Sequence, residues 1–308
     1  MENICVSVFI LTYNQEEFIG QTIESILDQK TDFAYQLVIG EDCSTDNTRS
    51  ICEKYAKENT DKIKLLPSVK NLGLINNFIR TLKECDGKYV AICDGDDYWI
   101  DPFKLKKQVD FLENNPDYSI VFTGVKFLFP DGNLQTKPAV GLTEVSCFKD
   151  LIFENYIPSV TVLFKNNQYF EEFPEWIDRF PYGDWPIYLW TIRNGGKIGY
   201  LEDITAVYRK EIGVSERLKL IPSDIVKVNL DIVDCVFRDS GFLSQRKVIK
   251  KSLQQHQFSL MASYFRENKF LKSLKMSFRL ILVAPLKVIH TYLYLIKRKY
   301  LIKVLTKK

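Results

Sequence analysis

The chain has 308 residues, 46% of them hydrophobic and 13% aromatic, with 26% charged and only 14 glycines and 11 prolines, a balance that buries a sizeable core and excludes disordered and fibrous classes. Its formal net charge of +3 hides an asymmetry: residues 1–270 carry 32 basic against 39 acidic residues, a net of −7, whereas the last 38 carry ten basic residues and nothing acidic follows Glu267. Such a tail suits an anionic partner, nucleic acid or membrane lipid, while the acidic body does something else.

Residues 6–11 form a continuous apolar run, as a strand buried on both faces does. Asn14 with Glu17 makes a capping-box pattern, and Ile19, Ile23, Ile26 and Leu27 follow at helical spacing. Next come a short strand at 37–40, a helix opening near Thr45 and Asp46, and a strand at 63–66; a helix near 74–82 then leads to a strand at 89–93. Repeated β-α units predict an α/β fold with a mostly parallel sheet, whose ligands sit beyond the carboxyl ends of the strands.

After Asp97 the pattern changes. Asp101-Pro102 reads as a helix start, and alternation over 121–129 before Pro130-Asp131-Gly132-Asn133 predicts a hairpin. Short elements follow at 160–164, 185–193, 197–201 and 204–208. Ser223, as a cap after Pro222, opens an all-helical stretch through 270.

The strand at 89–93 runs straight into Asp94-Gly95-Asp96-Asp97. Three carboxylates in four residues repel one another unless a cation sits among them, and a hard divalent ion that keeps water or phosphate in its other positions meets that demand. The plainer alternative is a solvated acidic turn. An EF-hand is excluded because Tyr98 and Leu105 stand at its fifth and twelfth positions, and no glycine-rich phosphate loop follows the first strand. At the end of the second strand, Thr45 and Asp46 are accounted for as caps of the next helix, but Glu41 and Asp42 are not. A carboxylate there can accept the imide N–H of a uracil, and Thr12-Tyr13-Asn14 offers a ring and hydroxyl where a base would lie.

In order and spacing, these pieces resemble the glycosyltransferase family 2 enzymes, which have the GT-A fold. The resemblance rests on 8–14, on Glu41 to Asp46, on Asn71-Leu72-Gly73 with Asn77, on 87–90 and on Asp94 to Asp97; it covers roughly the first 130 residues and continues more weakly to about 215. It implies a nucleotide-sugar donor, most simply UDP-linked, held by a set comprising Thr12, Tyr13, Asn14, Glu41, Asp42, Asn71, Asn77, Asp94, Asp96 and Arg209. Within that set Tyr13 and Asp42 hold the base, Asp94 and Asp96 the ribose and diphosphate region, and Asp96 or Asp97 ligates Mg2+ or Mn2+. Tyr182-Gly183-Asp184-Trp185-Pro186 resembles the family's catalytic-base segment; the N-cap of the helix it precedes is the alternative for Asp184. Tyr208 to Ser215 resembles a late flexible segment in which Arg209 meets the diphosphate; Glu211 stands where relatives often have His, which leaves a third metal ligand open. A surface arginine at a strand end is the alternative for Arg209.

The resemblance implies one in-line displacement with inversion, needing a base on the attacking hydroxyl and charge stabilisation on the departing diphosphate. The acceptor expected is a glycan or lipid-linked glycan of surface polysaccharide assembly. A nucleotidyltransferase-like sugar-nucleotide enzyme and a catalytically degenerate binding or scaffold protein are the alternatives.

In the tail, Leu271, Leu274, Phe278 and Leu282 recur opposite Lys272, Lys275 and Arg279, and after Pro285 the pattern repeats. Basic amphipathic helices over 271–308 suit an anionic membrane surface; packing on the protein or across a dimer is the alternative. Nucleic acid fits less well, since the body is acidic and no recognition motif is present. Seven cysteines, an odd number without a Cys-x-x-Cys pair, indicate neither a disulfide framework nor zinc. With no signal-peptide pattern at the start, a cytoplasmic body at the inner face of the membrane is expected. The resulting partition is a catalytic domain at 1–220 (nucleotide-sugar half 1–100, acceptor half 101–220), a helical extension at 221–270 and membrane-associating helices at 271–308.

Overall fold

The computed structural model describes residues 4–137, 145–167, 174–212 and 221–305. The chain divides into two compact units, Met1–Leu218 and Lys219–Lys308.

The first unit opens with β1 (Val6–Thr12), α1 (Ile19–Leu27), β2 (Tyr35–Glu41), α2 (Thr48–Glu58), β3 (Ile63–Leu65), α3 (Leu74–Lys83) and β4 (Tyr89–Ile92). It continues with β5 (Tyr98–Trp99), α4 (Lys104–Asn114), β6 (Tyr118–Leu128), β7 (Leu134–Lys137), β8 (Val145–Cys147), α5 (Phe148–Leu151), β9 (Leu163–Lys165), α6 (Asp184–Thr191) and β10 (Lys197–Arg209). One sheet takes the order β3-β2-β1-β4-β9-β6-β10-β5, with β7 on β6 and β8 on β10. β3, β2, β1 and β4 are mutually parallel; β9 runs against β4 and β6, and β6 and β10 are parallel to each other. Every residue of β1 is buried, which is why the run carries no polar alternation. A core of Val8, Ile10, Ile23, Leu37, Ala91 and Leu105 ties the sheet to α1 and α4.

Registers of Thr12 with Glu41 and of Phe9 with Ile92 bring the carboxyl ends of β1, β2 and β4 side by side. The segments that follow each of them therefore share one end of the sheet.

Several local expectations are corrected. Asn14 is not a helix cap: it adopts φ +51°, its Oδ1 accepts from the Thr45 N–H at 2.8 Å, and its own N–H donates to Ser44 Oγ. α1 begins five residues later, because Asn14 gains more from joining two loops than from capping a turn. The helix after Asp101 starts at Lys104; Asp101 accepts from the Phe103 N–H, and Gln29 from the buried Leu105 N–H. The stretches at 197–201 and 204–208 are one strand, β10, whose register against β6 shifts at the break between them.

In the second unit, α7 (Pro222–Arg238), α8 (Arg246–Arg266), α9 (Phe270–Ile281) and α10 (Pro285–Leu305) pack on one another, with Phe258, Met261, Leu280 and Val288 at the centre. Ser223 lies inside α7, with Pro222 at its first position, and gives its N–H and Oγ to Glu267 instead of capping the helix.

Candidate active site

The acidic loop after β4 lies flat on the end of β1. A Cβ on Gly95 would come within 2.5 Å of Gln15 Oε1 and 2.7 Å of Thr12, so only glycine allows this approach. Thr22 Oγ1 lies 2.9 Å from the Gly95 carbonyl and 2.7 Å from that of Asp97, fixing the loop to α1. Thr12 Oγ1 and Gln15 Oε1 are buried there without a hydrogen-bond partner among the described residues.

The three carboxyls of the loop diverge in role. Burial, then the charges of Asp96 and Asp184, push the Asp94 carboxyl up to about 7, against a hydrogen bond from Ser159 Oγ. Asp97 is 1% exposed; burial and its two acidic neighbours hold its carboxyl far above the carboxylate range, and its Oδ1 accepts from the Arg209 N–H at 2.8 Å. Asp97, expected as a metal ligand, meets the end of β10 through this bond.

Arg209 is also redirected. Its guanidinium lies between the rings of Phe18 and Tyr98, at 4.8 and 4.7 Å from their centroids, and donates to the Asp96 carbonyl and to Gln21 Oε1. At 7% exposure, it ties the acidic loop to α1 through these contacts. Glu211, two residues on, is exposed in a left-handed conformation, and residues 213–215 of that segment lie outside the described residues.

At the end of β2, Asp42 accepts from the Leu72 and Gly73 N–H groups at 2.7 and 2.9 Å, while Asn71 Nδ2 donates to the Asp42 carbonyl. Asp42 is therefore fixed in place by the loop before α3. Glu41 is fully buried, accepting from the Ser44 N–H with Arg49 at 3.6 Å, and Asn77 joins the Gly40 carbonyl to Arg80. Both are expected among the sugar-donor contacts; here Asn77 links β2 to Arg80, while Glu41 Oε2 has no hydrogen-bond partner among the described residues. Tyr13 is half-buried at the end of β1.

Asp184 is the first residue of α6, with Gly183 at the cap position. Burial raises its carboxyl, opposed by the Trp185 N–H and by Asn155 Nδ2, which donates to Asp184 Oδ2 at 2.8 Å. Asn155 Oδ1 accepts from the Ile157 N–H, which fixes the amide with its NH2 toward Asp184. One turn further along α6, the Tyr188 hydroxyl is buried without a hydrogen-bond partner among the described residues; burial raises it, and the fields of Asp184 and Asp94 add to this. Asp94 and Asp184, 90 positions apart in sequence, are close enough that the charge of Asp184 raises Asp94 and both act on Tyr188.

Asn155, Ser159, Gln21 and Tyr188 escaped the sequence reading. Only Tyr188, four residues after Asp184 on one helix, carried a signal that spacing could have revealed.

Among the described residues no three His, Cys, Asp or Glu side chains form a closed metal cage. The set is oxygen-only, and Asp94 with Asp96 matches what an Mg2+- or Mn2+-like ion requires: one or two carboxylates, completed by water and phosphate oxygens. The crowding that raises Asp94 is the electrostatic condition such a cation relieves.

The model of glycosyl transferase family 2 matches residues 7–162 of the chain. An uncharacterized protein of Mycobacterium tuberculosis is 31% identical over 206 residues, 67% of this chain; the match spans 58% of that relative's length. The dTDP-rhamnosyl transferase RfbG of Shigella flexneri is 32% identical over 164 residues, covering 52% of this chain and 55% of its own. Among solved structures, Staphylococcus aureus TarS in complex with UDP-GlcNAc aligns with a TM-score of 0.63 at 21% identity, over 85% of this chain and 73% of that one. The mannosyltransferase PcManGT of Pyrobaculum calidifontis, in complex with GDP-Man and Mn2+, aligns over 99% of this chain and 87% of its own with a TM-score of 0.59 at 16% identity. At these identities the likeness to the solved structures shows the fold.

Proposed function

The chain belongs to glycosyl transferase family 2, and from that membership we propose that it transfers a sugar, with inversion, from a nucleotide donor to a hydroxyl of a glycan or lipid-linked glycan. The observation that supports this reading is the electrostatic proximity of Asp184, at the start of α6, to Asp94, at the carboxyl end of β4, each carboxyl in a distinct environment. Asp184, raised by burial yet steadied by Asn155, is suited to accept the proton of the attacking hydroxyl. The acceptor oxygen then bonds the anomeric carbon as the bond to the diphosphate breaks, and the electron pair leaves with the diphosphate. Asp42, held by the Leu72 and Gly73 amides, and Tyr13 face the base. A bound Mg2+ or Mn2+ would be held by Asp96 with Asp94 and supplies the charge that neutralises the leaving diphosphate.

A UDP-linked donor is supported by the TarS complex, whose fold this chain shares, and a role in polysaccharide assembly by the Bacillus subtilis relative TuaG, whose name refers to teichuronic acid biosynthesis. Such an acceptor places the enzyme peripherally at the inner face of the cell membrane.

Two measurements test the reading together. A thermal-shift screen of nucleotide-sugars with Mg2+ or Mn2+ is expected to single out a donor, and Asp184→Asn is expected to keep that shift while losing transfer by a factor of about 10²–10⁴. Wild-type transfer by the folded variant would remove Asp184 from the mechanism; the absence of any nucleotide-sugar shift would remove the donor reading.

A further inference from the structure

Amphipathic helices in a small helical unit ordinarily turn their apolar stripe inward, and α9 and α10 do the opposite. α9 packs on its unit through Ser273, Ser277 and Leu280, with Ser273 Oγ donating to the Met261 carbonyl and meeting the Tyr292 hydroxyl at 2.9 Å. Its main apolar stripe, Leu271, Leu274, Phe278 and Leu282, points outward, with Leu271 and Leu282 85% and 87% exposed. At 100° per residue these positions fall within one third of the circumference. Lys272, Lys275 and Arg279 occupy the next third, and the buried side fills the last.

α10 repeats the arrangement. Val288 and Leu295 face the unit, Leu286, Ile289 and Leu293 point outward at 52–70% exposure, and Lys287 and Arg298 border them. Two consecutive helices thus expose apolar stripes flanked by cations, across a stretch that contains no acidic residue. A patch of this kind on a monomer marks an interaction site.

We infer that the outer faces of α9 and α10 form a docking surface for an anionic lipid bilayer. Charge favours this occupant: pairing these faces with the same faces of a second copy would bring two sets of lysines and arginines together without a compensating acid, whereas phosphate headgroups supply the opposite sign along the whole rim. The apolar stripes enter the headgroup–acyl boundary while the basic side chains reach the phosphates. No helix among the described residues is long and apolar enough to cross a membrane, so the contact runs along the surface. The inference deepens the peripheral placement proposed above and is separable from the transfer chemistry, because lipid binding and nucleotide-sugar binding are read independently.

The test is co-sedimentation of the full chain with vesicles of phosphatidylcholine alone or mixed with phosphatidylglycerol. Binding is expected to the anionic vesicles only and to fall with salt. Phe278→Glu/Leu286→Glu is expected to abolish it, and Lys275→Gln/Arg279→Gln to weaken it about tenfold or more. Both variants should keep the wild-type nucleotide-sugar thermal shift, which shows that the chain is folded. Equal sedimentation with neutral vesicles, no sedimentation, or unchanged binding by the Glu variant would overturn the proposal. So would a lipid-free wild-type dimer that the Glu variant dissolves, since the surface would then belong to a second copy.

Discussion

Gly183→Ala probes the site through a single methyl group. Gly183 has φ −110° and ψ −13°, a conformation alanine adopts freely, so the substitution acts only through contact. The new Cβ would lie 2.7, 2.8 and 3.0 Å from three ring carbons of Phe78, where ordinary contacts begin at 3.4 Å. Phe78 cannot swing aside: it is 5% exposed, and its ring meets that of Phe9 edge-on with centroids 5.1 Å apart. Relief therefore requires the start of α6 to back away by roughly 0.7 Å, carrying Asp184 with it. Overpacking of this kind costs about 1–3 kcal/mol, roughly 2–10 °C in Tm for a unit of this size. A displacement approaching 1 Å in a reacting group costs up to about 10²-fold, so kcat is expected to drop about 10- to 100-fold while nucleotide-sugar affinity stays within about twofold. The assay pairs turnover with calorimetric donor titration, and adds Phe78→Ala/Gly183→Ala, which removes the obstructing ring and should recover part of kcat. If Gly183→Ala lowers Tm but leaves kcat unchanged, or if the double variant recovers nothing relative to Phe78→Ala, the steric link between Phe78 and Asp184 is wrong.

Three further outcomes are expected. Asn155→Ala removes a hydrogen bond to the ionised form of Asp184, worth about 1.5–3 kcal/mol, so the acidic limb of the kcat–pH profile should move up by about 1–2 pH units; an unmoved limb would deny the pairing a role in turnover. Arg209→Lys loses the planar stack between Phe18 and Tyr98 and should lower stability by about 2–3 kcal/mol in urea unfolding even without nucleotide; an arginine reserved for the diphosphate would leave that measurement unchanged. Lys104 is buried with Gln108 Oε1 and the Trp99 ring against its ammonium, and burial lowers it to about 7. The native state therefore sheds this proton near pH 7 while the unfolded chain keeps it to its ordinary 10.5, so wild-type stability gains with pH across that window. The Tm advantage of Lys104→Met should be greatest below pH 7 and shrink toward pH 10, and a pH-independent difference would show that the lysine does not titrate there.

The alternation of strands and helices over the first hundred residues was legible because each element is specified by its own period: β1 by an unbroken apolar run, α1 by Ile19, Ile23 and Ile26, β4 by its approach to the acidic loop. That the carboxyl ends of those strands would gather Asp42, Asp94 and Asp96 follows from parallel topology alone. The capping box at Asn14 failed because a local pattern competed with a contact 31 positions away, the Thr45 N–H, and lost. Asn155 left no local trace, since it lies in a stretch without regular period and its partner is 29 positions further on.

Sequence alone determined the α/β fold, the family resemblance and the clustering of acidic residues at the strand ends, because apolar period and motif spacing are properties of neighbours along the chain. Tertiary structure alone decided what each polar group does. Asp97 and Arg209, 112 positions apart, hold each other in place, and Glu41 and Asn77 pin β2 to its surroundings. It also decided which face of α9 and α10 turns inward. A helical wheel locates an apolar stripe but not what covers it, and here the serine side found partners in Met261 and Tyr292 while the leucines were left outside. Hydrogen-bond partners and burial are relations between distant segments, and only the assembled fold sets them.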